Sequence, residues 1–180
     1  MRTDLKLYTS GELDNVGVEA LWQLLVAADN EFVPSLSSRG EGAGERLAPN
    51  VPSASGGPRG YFDEIRSHWI IFSLTNQCAV GMMSFIPHYS NDILRDWSPC
   101  SYLSTLIVDK SYRRSGVARH LYGYLIEYSR EIGDVAVATR TWSTNAGHLA
   151  LLDSLGFAPV KTIPDHRAPG VDTIYFAKSV

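Results

Sequence analysis

The sequence is poor in the residues that staple small domains or hold metals. Its 180 residues contain only two cysteines, Cys78 and Cys100, and two cysteines do not make a disulfide framework at this length. The five histidines are scattered, and no Cys/His cluster has the spacing of zinc ligands. We therefore expect neither a disulfide scaffold nor a bound metal.

An excess of basic residues is also missing. Lys and Arg number 16 against 19 Asp and Glu, which gives a formal net charge of -3. A protein that follows a nucleic-acid backbone needs a cationic surface, so we expect no nucleic-acid partner.

Long apolar runs are missing as well. No stretch approaches the roughly 20 apolar residues of a membrane span. The polar N-terminus, MRTDLKLYTSGELD, differs from a signal peptide. We therefore expect a cytoplasmic protein that does not bind membranes. The length suits a single domain over residues 1–180, because domains usually run about 100–200 residues.

What the sequence does contain is the apolar periodicity of a mixed α/β domain. Apolar stripes at helical spacing predict helices, and short β-rich runs predict strands. The predicted strands are 4–9, 69–74, 79–86, 101–108, 135–142, 157–163 and 171–178. The predicted helices are 16–28, 61–68, 117–132 and 146–155. Strands 101–108 and 135–142 should be central, because they are apolar on both faces.

Residues 33–60 break this periodicity. They are rich in Ser, Gly and Pro and predict a long flexible loop. Long loops inside compact domains are usually functional or disordered, and the composition does not decide between the two.

The segment after strand 101–108 has the composition of an anion site. A glycine, Gly116, lets the backbone approach a ligand closely, and a helix starts directly after it. Unpaired N–H groups at a helix N-terminus favour anions, and arginine can bind phosphate in a bidentate manner. The segment therefore predicts a pyrophosphate site formed by Arg113, Arg114, Ser115, Gly116, Val117 and Ala118.

The glycine pattern is neither a Walker P-loop, which needs Gly-Lys-Ser/Thr, nor the G-x-G-x-x-G of dinucleotide-binding folds. The order R-x-x-G-x-A after Val108 instead resembles the acyl-CoA-binding motif of the GNAT superfamily. Residues 145–157, NAGHLALLDSLGF, are similar to the family segment N-x-x-A-x-x-L-Y-x-x-x-G-F. With both motifs in the family's order, the chain is identified as a member of that superfamily.

The resemblance implies a single-domain GNAT fold, with a mixed sheet of six to seven strands, about four flanking helices and splayed central strands. It implies acetyl-CoA as the cosubstrate, with pantetheine along the backbone of Leu106, Ile107 and Val108, where an N–H group would stabilise the oxyanion. Asn145 is a further cofactor-binding candidate. The amine would attack the thioester directly in a ternary complex, so catalysis would rest on proximity.

The chain departs from the family at the usual proton carriers. Ser104 and Thr105 stand where many members have Glu or Asp, and Leu152 stands where the family has Tyr. His148, one helical turn before Leu152, is a candidate acid with a suitable pKa. Glu31, at the end of the first helix near the presumed acceptor side, is a candidate base.

These departures leave alternatives open. The main function is an N-acetyltransferase acting on a small-molecule or peptide amine, as a monomer or homodimer. The missing Glu and Tyr favour a non-catalytic acyl-CoA-binding sensor instead, and a nucleotide-phosphate-binding module is a third possibility. Loop 33–60 is either a lid on the acceptor side or a plain disordered insertion.

Overall fold

The computed structural model describes residues 3–38 and 57–180. Within them the secondary structure has the predicted order of seven strands and four helices. The strands are β1 (Asp4–Tyr8), β2 (Trp69–Thr75), β3 (Cys78–Tyr89), β4 (Cys100–Val108), β5 (Ala136–Trp142), β6 (Ala158–Ala168) and β7 (Val171–Ser179). The helices are α1 (Asn15–Ala28), α2 (Gly57–Ile65), α3 (Val117–Glu131) and α4 (Ala146–Ser154). The strand order in the sheet is β1-β2-β3-β4-β5-β7-β6, which confirms the mixed α/β class.

The predicted loop 33–60 is too long at both ends. A 3-10 turn forms at Leu36–Ser38, and α2 begins at Gly57 rather than at residue 61. A Gly-Pro pair usually breaks structure, but proline is well suited to the first turn of a helix, where its missing N–H is not needed. Residues 39–56 of the predicted loop lie outside the described residues.

The last hairpin also differs from the prediction, which placed a turn over residues 164–170. Strand β6 continues to Ala168, so only the turn at 169–170 separates it from β7. The pairing register shifts between Ile163 and Ala168, as a bulge does. A bulge keeps the chain extended but breaks the alternation of side chains between the two faces. The apolar pattern therefore did not predict this part of the strand.

The chain divides into two compact units by its internal contacts. The first comprises Met1–Phe85 and Ser104–Leu121, and the second comprises Ile86–Leu103 and Tyr122–Val180. The single domain expected for residues 1–180 stays a prediction.

The first unit has an apolar core beneath α1 and α2. Helix α1 starts at its N-cap Asp14, whose side chain accepts a hydrogen bond from the Gly17 N–H at 2.7 Å. Its apolar stripe then packs on the sheet, and each fully buried large side chain contributes about 1.5–3 kcal/mol. Core residues include Leu21, Leu25, Leu36, Phe62, Ile65, Ile70, Phe72, Met82 and Ile107.

In the second unit, β5 pairs in parallel with the first part of β4, from Cys100↔Ala136 to Leu103↔Thr139, and antiparallel with β7. A buried carboxylate, Asp134, holds the segment before β5. It accepts a hydrogen bond from Ser101 Oγ at 2.7 Å and one from the His88 backbone N–H at 3.3 Å. His88 Nδ1 lies 2.9 Å from its other oxygen. The acidic side chain therefore ties together three separate segments of this unit.

Candidate active site

The predicted phosphate loop lies in the first unit, between the end of β4 at Val108 and the start of α3 at Val117. Gly116 has φ +92°, a left-handed conformation that side chains with a β-carbon rarely adopt. A β-carbon built on Gly116 would meet no atom within 4 Å. The space beside Gly116 is therefore open.

The N-terminus of α3 supplies backbone donors beside this glycine. The first helical hydrogen bond runs from the His120 N–H to the Gly116 carbonyl, at 3.0 Å. The N–H groups of Val117 and Ala118 come before it, so the helix itself gives them no acceptor. Together with the positive end of the helix dipole, they make a suitable site for an anion.

The two arginines of the loop differ in their surroundings. Arg114 is exposed and has φ +61°. Arg113 folds back on the protein: its Nε donates to the Val108 carbonyl at 3.0 Å, and its Nη2 donates to Glu31 Oε2 at 2.6 Å. Lys110 Nζ lies 3.3 Å from the other oxygen of Glu31. The candidate base Glu31 is thus ion-paired with the phosphate loop.

Gly81 of β3, which belongs to neither sequence motif, lies against this site. A β-carbon there would stand 3.1 Å from the Ile107 carbonyl oxygen and 2.9 Å from Val117 Cγ1. The Asp109 N–H donates to the Val80 carbonyl next to it, at 2.9 Å. Only glycine lets β3 approach the end of β4 this closely, and a glycine inside a predicted strand is the signal that could have found it.

The two hydroxyl residues in place of the usual carboxylate are held by neutral partners. Ser104 Oγ lies 2.6 Å from Ser84 Oγ and 3.2 Å from His68 Nδ1. Thr105 Oγ1 lies 2.9 Å from the Tyr61 hydroxyl. Burial lowers the pKa of His68 to about 4, so its ring is neutral at neutral pH. None of these groups is a strong base, and nothing in the sequence around His68 indicated its contact with Ser104.

The candidate acid His148 lies in the second unit, in the first turn of α4. Its Nε2 is 2.7 Å from the Tyr122 hydroxyl, and burial lowers its pKa to about 4. Asn145 is the N-cap of α4, and its Oδ1 accepts a hydrogen bond from the His148 N–H at 3.3 Å. Leu152 is fully buried. His148 is therefore an uncharged, hydrogen-bonded ring in this structure.

The predicted residues thus fall into two groups. Glu31, Leu106–Val108 and Arg113–Ala118 belong to the first unit, where Glu31 contacts the loop. Asn145 and His148 belong to the second unit, where they contact one another.

Two negative findings concern the part of the chain that the structure describes. Across residues 3–38 and 57–180, no three His, Cys, Asp or Glu side chains are grouped so that they could hold a metal ion. Over the same residues, no helix has the length and apolar character needed to cross a membrane.

The sequence of this chain matches a known protein family. The family model described as the acetyltransferase (GNAT) family matches residues 37–157, more than half of the chain. No curated protein matches the sequence.

Solved structures with this fold are numerous, although their sequences are distant. A GNAT-family acetyltransferase from Desulfovibrio desulfuricans has a TM-score of 0.70 at 10% identity, covering 99% of each chain. An acetyltransferase from Salmonella typhimurium, solved with acetyl-CoA, has a TM-score of 0.66 at 16% identity. The match covers 99% of this chain and 94% of the Salmonella chain. A ribosomal-protein-alanine N-acetyltransferase from Brucella melitensis has a TM-score of 0.65 at 18% identity. The match covers 98% of this chain and 99% of the Brucella chain.

Proposed function

Because the chain belongs to the acetyltransferase (GNAT) family, we propose that it transfers an acetyl group from acetyl-CoA to a primary amine. The observation that carries the proposal is the open loop at Gly116, between the end of β4 and the start of α3. Acetyl-CoA or CoA is present in the structures of the Salmonella protein and of an aminoglycoside 6'-N-acetyltransferase of similar fold, which supports this choice of cofactor.

In this proposal the pyrophosphate of acetyl-CoA lies on the N–H groups of Ser115, Gly116, Val117 and Ala118. Arg114 is exposed and adds positive charge, while Arg113 fixes the loop to the end of β4. The pantetheine arm runs along the backbone of Leu106–Val108, and a main-chain N–H there stabilises the developing oxyanion. Asn145 contributes to cofactor binding in this proposal as the N-cap that orients the first turn of α4.

The proposed reaction is direct attack by the amine. The amine nitrogen bonds to the carbonyl carbon of the thioester, the carbon–sulfur bond breaks, and CoA leaves as a thiolate that takes up a proton. Ser104 and Thr105 have hydroxyl groups where many family members have a carboxylate base. The amine therefore loses its proton to solvent. A thiol has a pKa near 8.5, so a thiolate is a tolerable leaving group near neutral pH.

The acceptor is a small-molecule or peptide amine in this proposal, and the protein acts in the cytoplasm as a monomer or homodimer. Polyamines, aminoglycosides, amino acids and peptide N-termini all have suitable amines. Among proteins of similar fold, one is named for an aminoglycoside and another for a ribosomal protein. The predicted loop 33–60 is the candidate lid for the acceptor, and its residues 39–56 lie outside the described part of the chain.

The experiment that tests this function is an acetyl-transfer assay with a panel of these amines. We expect CoA release above the rate of acetyl-CoA hydrolysis with at least one class of amine. CoA is measured by chromatography, because the exposed thiol of Cys78 would react with a thiol reagent. Acetyl-CoA binding without CoA release from any amine would support the sensor alternative, and tighter binding of nucleotides than of CoA would support the nucleotide module.

His148→Ala is expected to change the turnover number less than about threefold. With a pKa of about 4, the ring is protonated in roughly one molecule per thousand at pH 7, too few for an effective acid. Turnover is measured at saturating acetyl-CoA with the best amine of the panel. His148→Gln is the matched control, because its amide can still bond to the Tyr122 hydroxyl.

The opposite result would identify His148 as the acid. In that case His148→Ala loses about 10²-fold or more in turnover with unchanged acetyl-CoA affinity. Leu152→Tyr would then restore part of the loss, because it returns the hydroxyl that the family has at that position.

A further inference from the structure

Glu31 makes a charged contact with the phosphate loop from a distant part of the sequence. It ends the 3-10 turn Asp29–Glu31 that follows α1. Its two oxygens face two cations of the loop segment, Arg113 at 2.6 Å and Lys110 at 3.3 Å. One carboxylate therefore holds both ends of the segment 110–113, which leads directly into the anion-binding N–H groups.

The carboxylate lies on the inner side of this cluster. The Glu31 side chain is 34% exposed, against 41% for Arg113 and 71% for Lys110, and its Oε1 atom is buried. This buried oxygen has no hydrogen-bond partner among the described residues, and the Lys110 ammonium at 3.3 Å is its charged neighbour. Both cations thus keep part of their surface exposed, where a phosphate could reach them.

The Arg113 guanidinium is fixed in two directions at once. Its Nε donates to the Val108 carbonyl at the end of β4, and its Nη2 donates to Glu31. A planar guanidinium held at two of its nitrogens has little freedom left to lose, and its remaining N–H groups keep a defined direction. The loop is thereby anchored both to the strand before it and to the turn after α1.

We propose that Glu31 is a positioning residue for the cofactor, acting through Arg113 and Lys110 to hold the phosphate loop in its binding form. The proposal rests on the function proposed above. It replaces the role of base for Glu31, because both carboxylate oxygens face cations of the loop segment.

The test compares Glu31→Ala with Glu31→Gln by calorimetric titration of acetyl-CoA. We expect Glu31→Ala to weaken binding roughly tenfold, the factor that corresponds to about 1.4 kcal/mol. Glu31→Gln is expected to weaken it less, because its amide oxygen can still accept from Arg113. Turnover at saturating acetyl-CoA should stay within about twofold of wild type in both. Glu127→Gln, which removes an exposed carboxylate paired with Arg130, is the matched control and should bind like wild type.

A double-mutant cycle shows whether Glu31 acts through Arg113. In an Arg113→Gln background, Glu31→Ala should change acetyl-CoA affinity less than about twofold. Tighter binding by Glu31→Gln would overturn the proposal, because the carboxylate would then be repelling the ligand. Lower turnover with an altered pH profile and unchanged affinity would overturn it in favour of the base. Wild-type affinity in every Glu31 variant overturns this role alone, whereas a wild-type protein that does not bind acetyl-CoA overturns the proposed function as well.

Discussion

Gly116→Val is expected to lower acetyl-CoA affinity by more than about a hundredfold. At φ +92° a β-branched side chain is strained by about 1–3 kcal/mol, so the loop would move to another conformation. The N–H groups around it would then lose hydrogen bonds to a charged ligand that are worth about 1.5–3 kcal/mol each. The added side chain would also project into the open space beside Gly116, where the proposed function places the pyrophosphate. Calorimetric titration with acetyl-CoA measures the loss.

A second glycine in the same region provides the control. Gly123 lies inside α3, and a β-carbon there would also meet no atom within 4 Å, but its φ is not positive. Gly123→Ala should therefore bind acetyl-CoA like wild type, whereas Gly116→Ala should bind more weakly. Circular dichroism verifies that each variant is folded. Unchanged affinity in Gly116→Val would remove the basis for the phosphate site.

Asp134→Ala is expected to lower the free energy of unfolding by about 3 kcal/mol. The carboxylate is fully buried, and its loss leaves the buried Ser101 hydroxyl and the His88 N–H without their acceptor. Each unsatisfied buried group costs about 1–3 kcal/mol. The His88 side chain itself contributes little to this total, since it is 60% exposed and its ion pair is screened by water.

Urea denaturation at constant pH measures this loss. The slope of unfolding free energy against urea concentration should stay unchanged, so that only the midpoint shifts. Asp153→Ala, which removes an exposed carboxylate from α4, is the control and should change stability by less than about 0.5 kcal/mol. The loss of unfolding free energy in Asp134→Asn should lie between those of Asp134→Ala and Asp153→Ala, because the amide oxygen can still accept a hydrogen bond. A loss below about 1 kcal/mol in Asp134→Ala would show that the Asp134 contacts do not stabilise the fold.

Features set by neighbouring residues were predictable from the sequence. The N-caps Asp14 and Asn145 are such features, because a cap needs a short polar side chain directly before an apolar stripe. Gly156 ends α4 by a similarly local rule: its φ is +77°, and the Phe157 N–H donates to the Leu152 carbonyl as in a Schellman motif. The strand, glycine and helix of the predicted phosphate loop also follow one another directly, and the anion site itself stays a prediction.

Contacts between distant segments were not predictable. Glu31 and Arg113 are 82 residues apart, and His68 and Ser104 are 36 apart. No periodicity or local motif links such residues, because packing alone brings them together. The start of α2 at Gly57 was missed for a different reason, since it lies in a segment whose Ser, Gly and Pro content predicts a loop.

The two buried histidines couple folding to proton release. Burial holds the pKa of His68 and of His148 near 4, whereas an unfolded chain binds protons at histidine with a pKa near 6.5. The unfolded chain therefore binds more protons than the folded chain between about pH 6.5 and pH 4. The stability that these neutral rings contribute is complete above pH 6.5 and is lost as the pH falls toward 4. Acidification from about pH 6.5 toward pH 4 therefore lowers the free energy of unfolding of this protein.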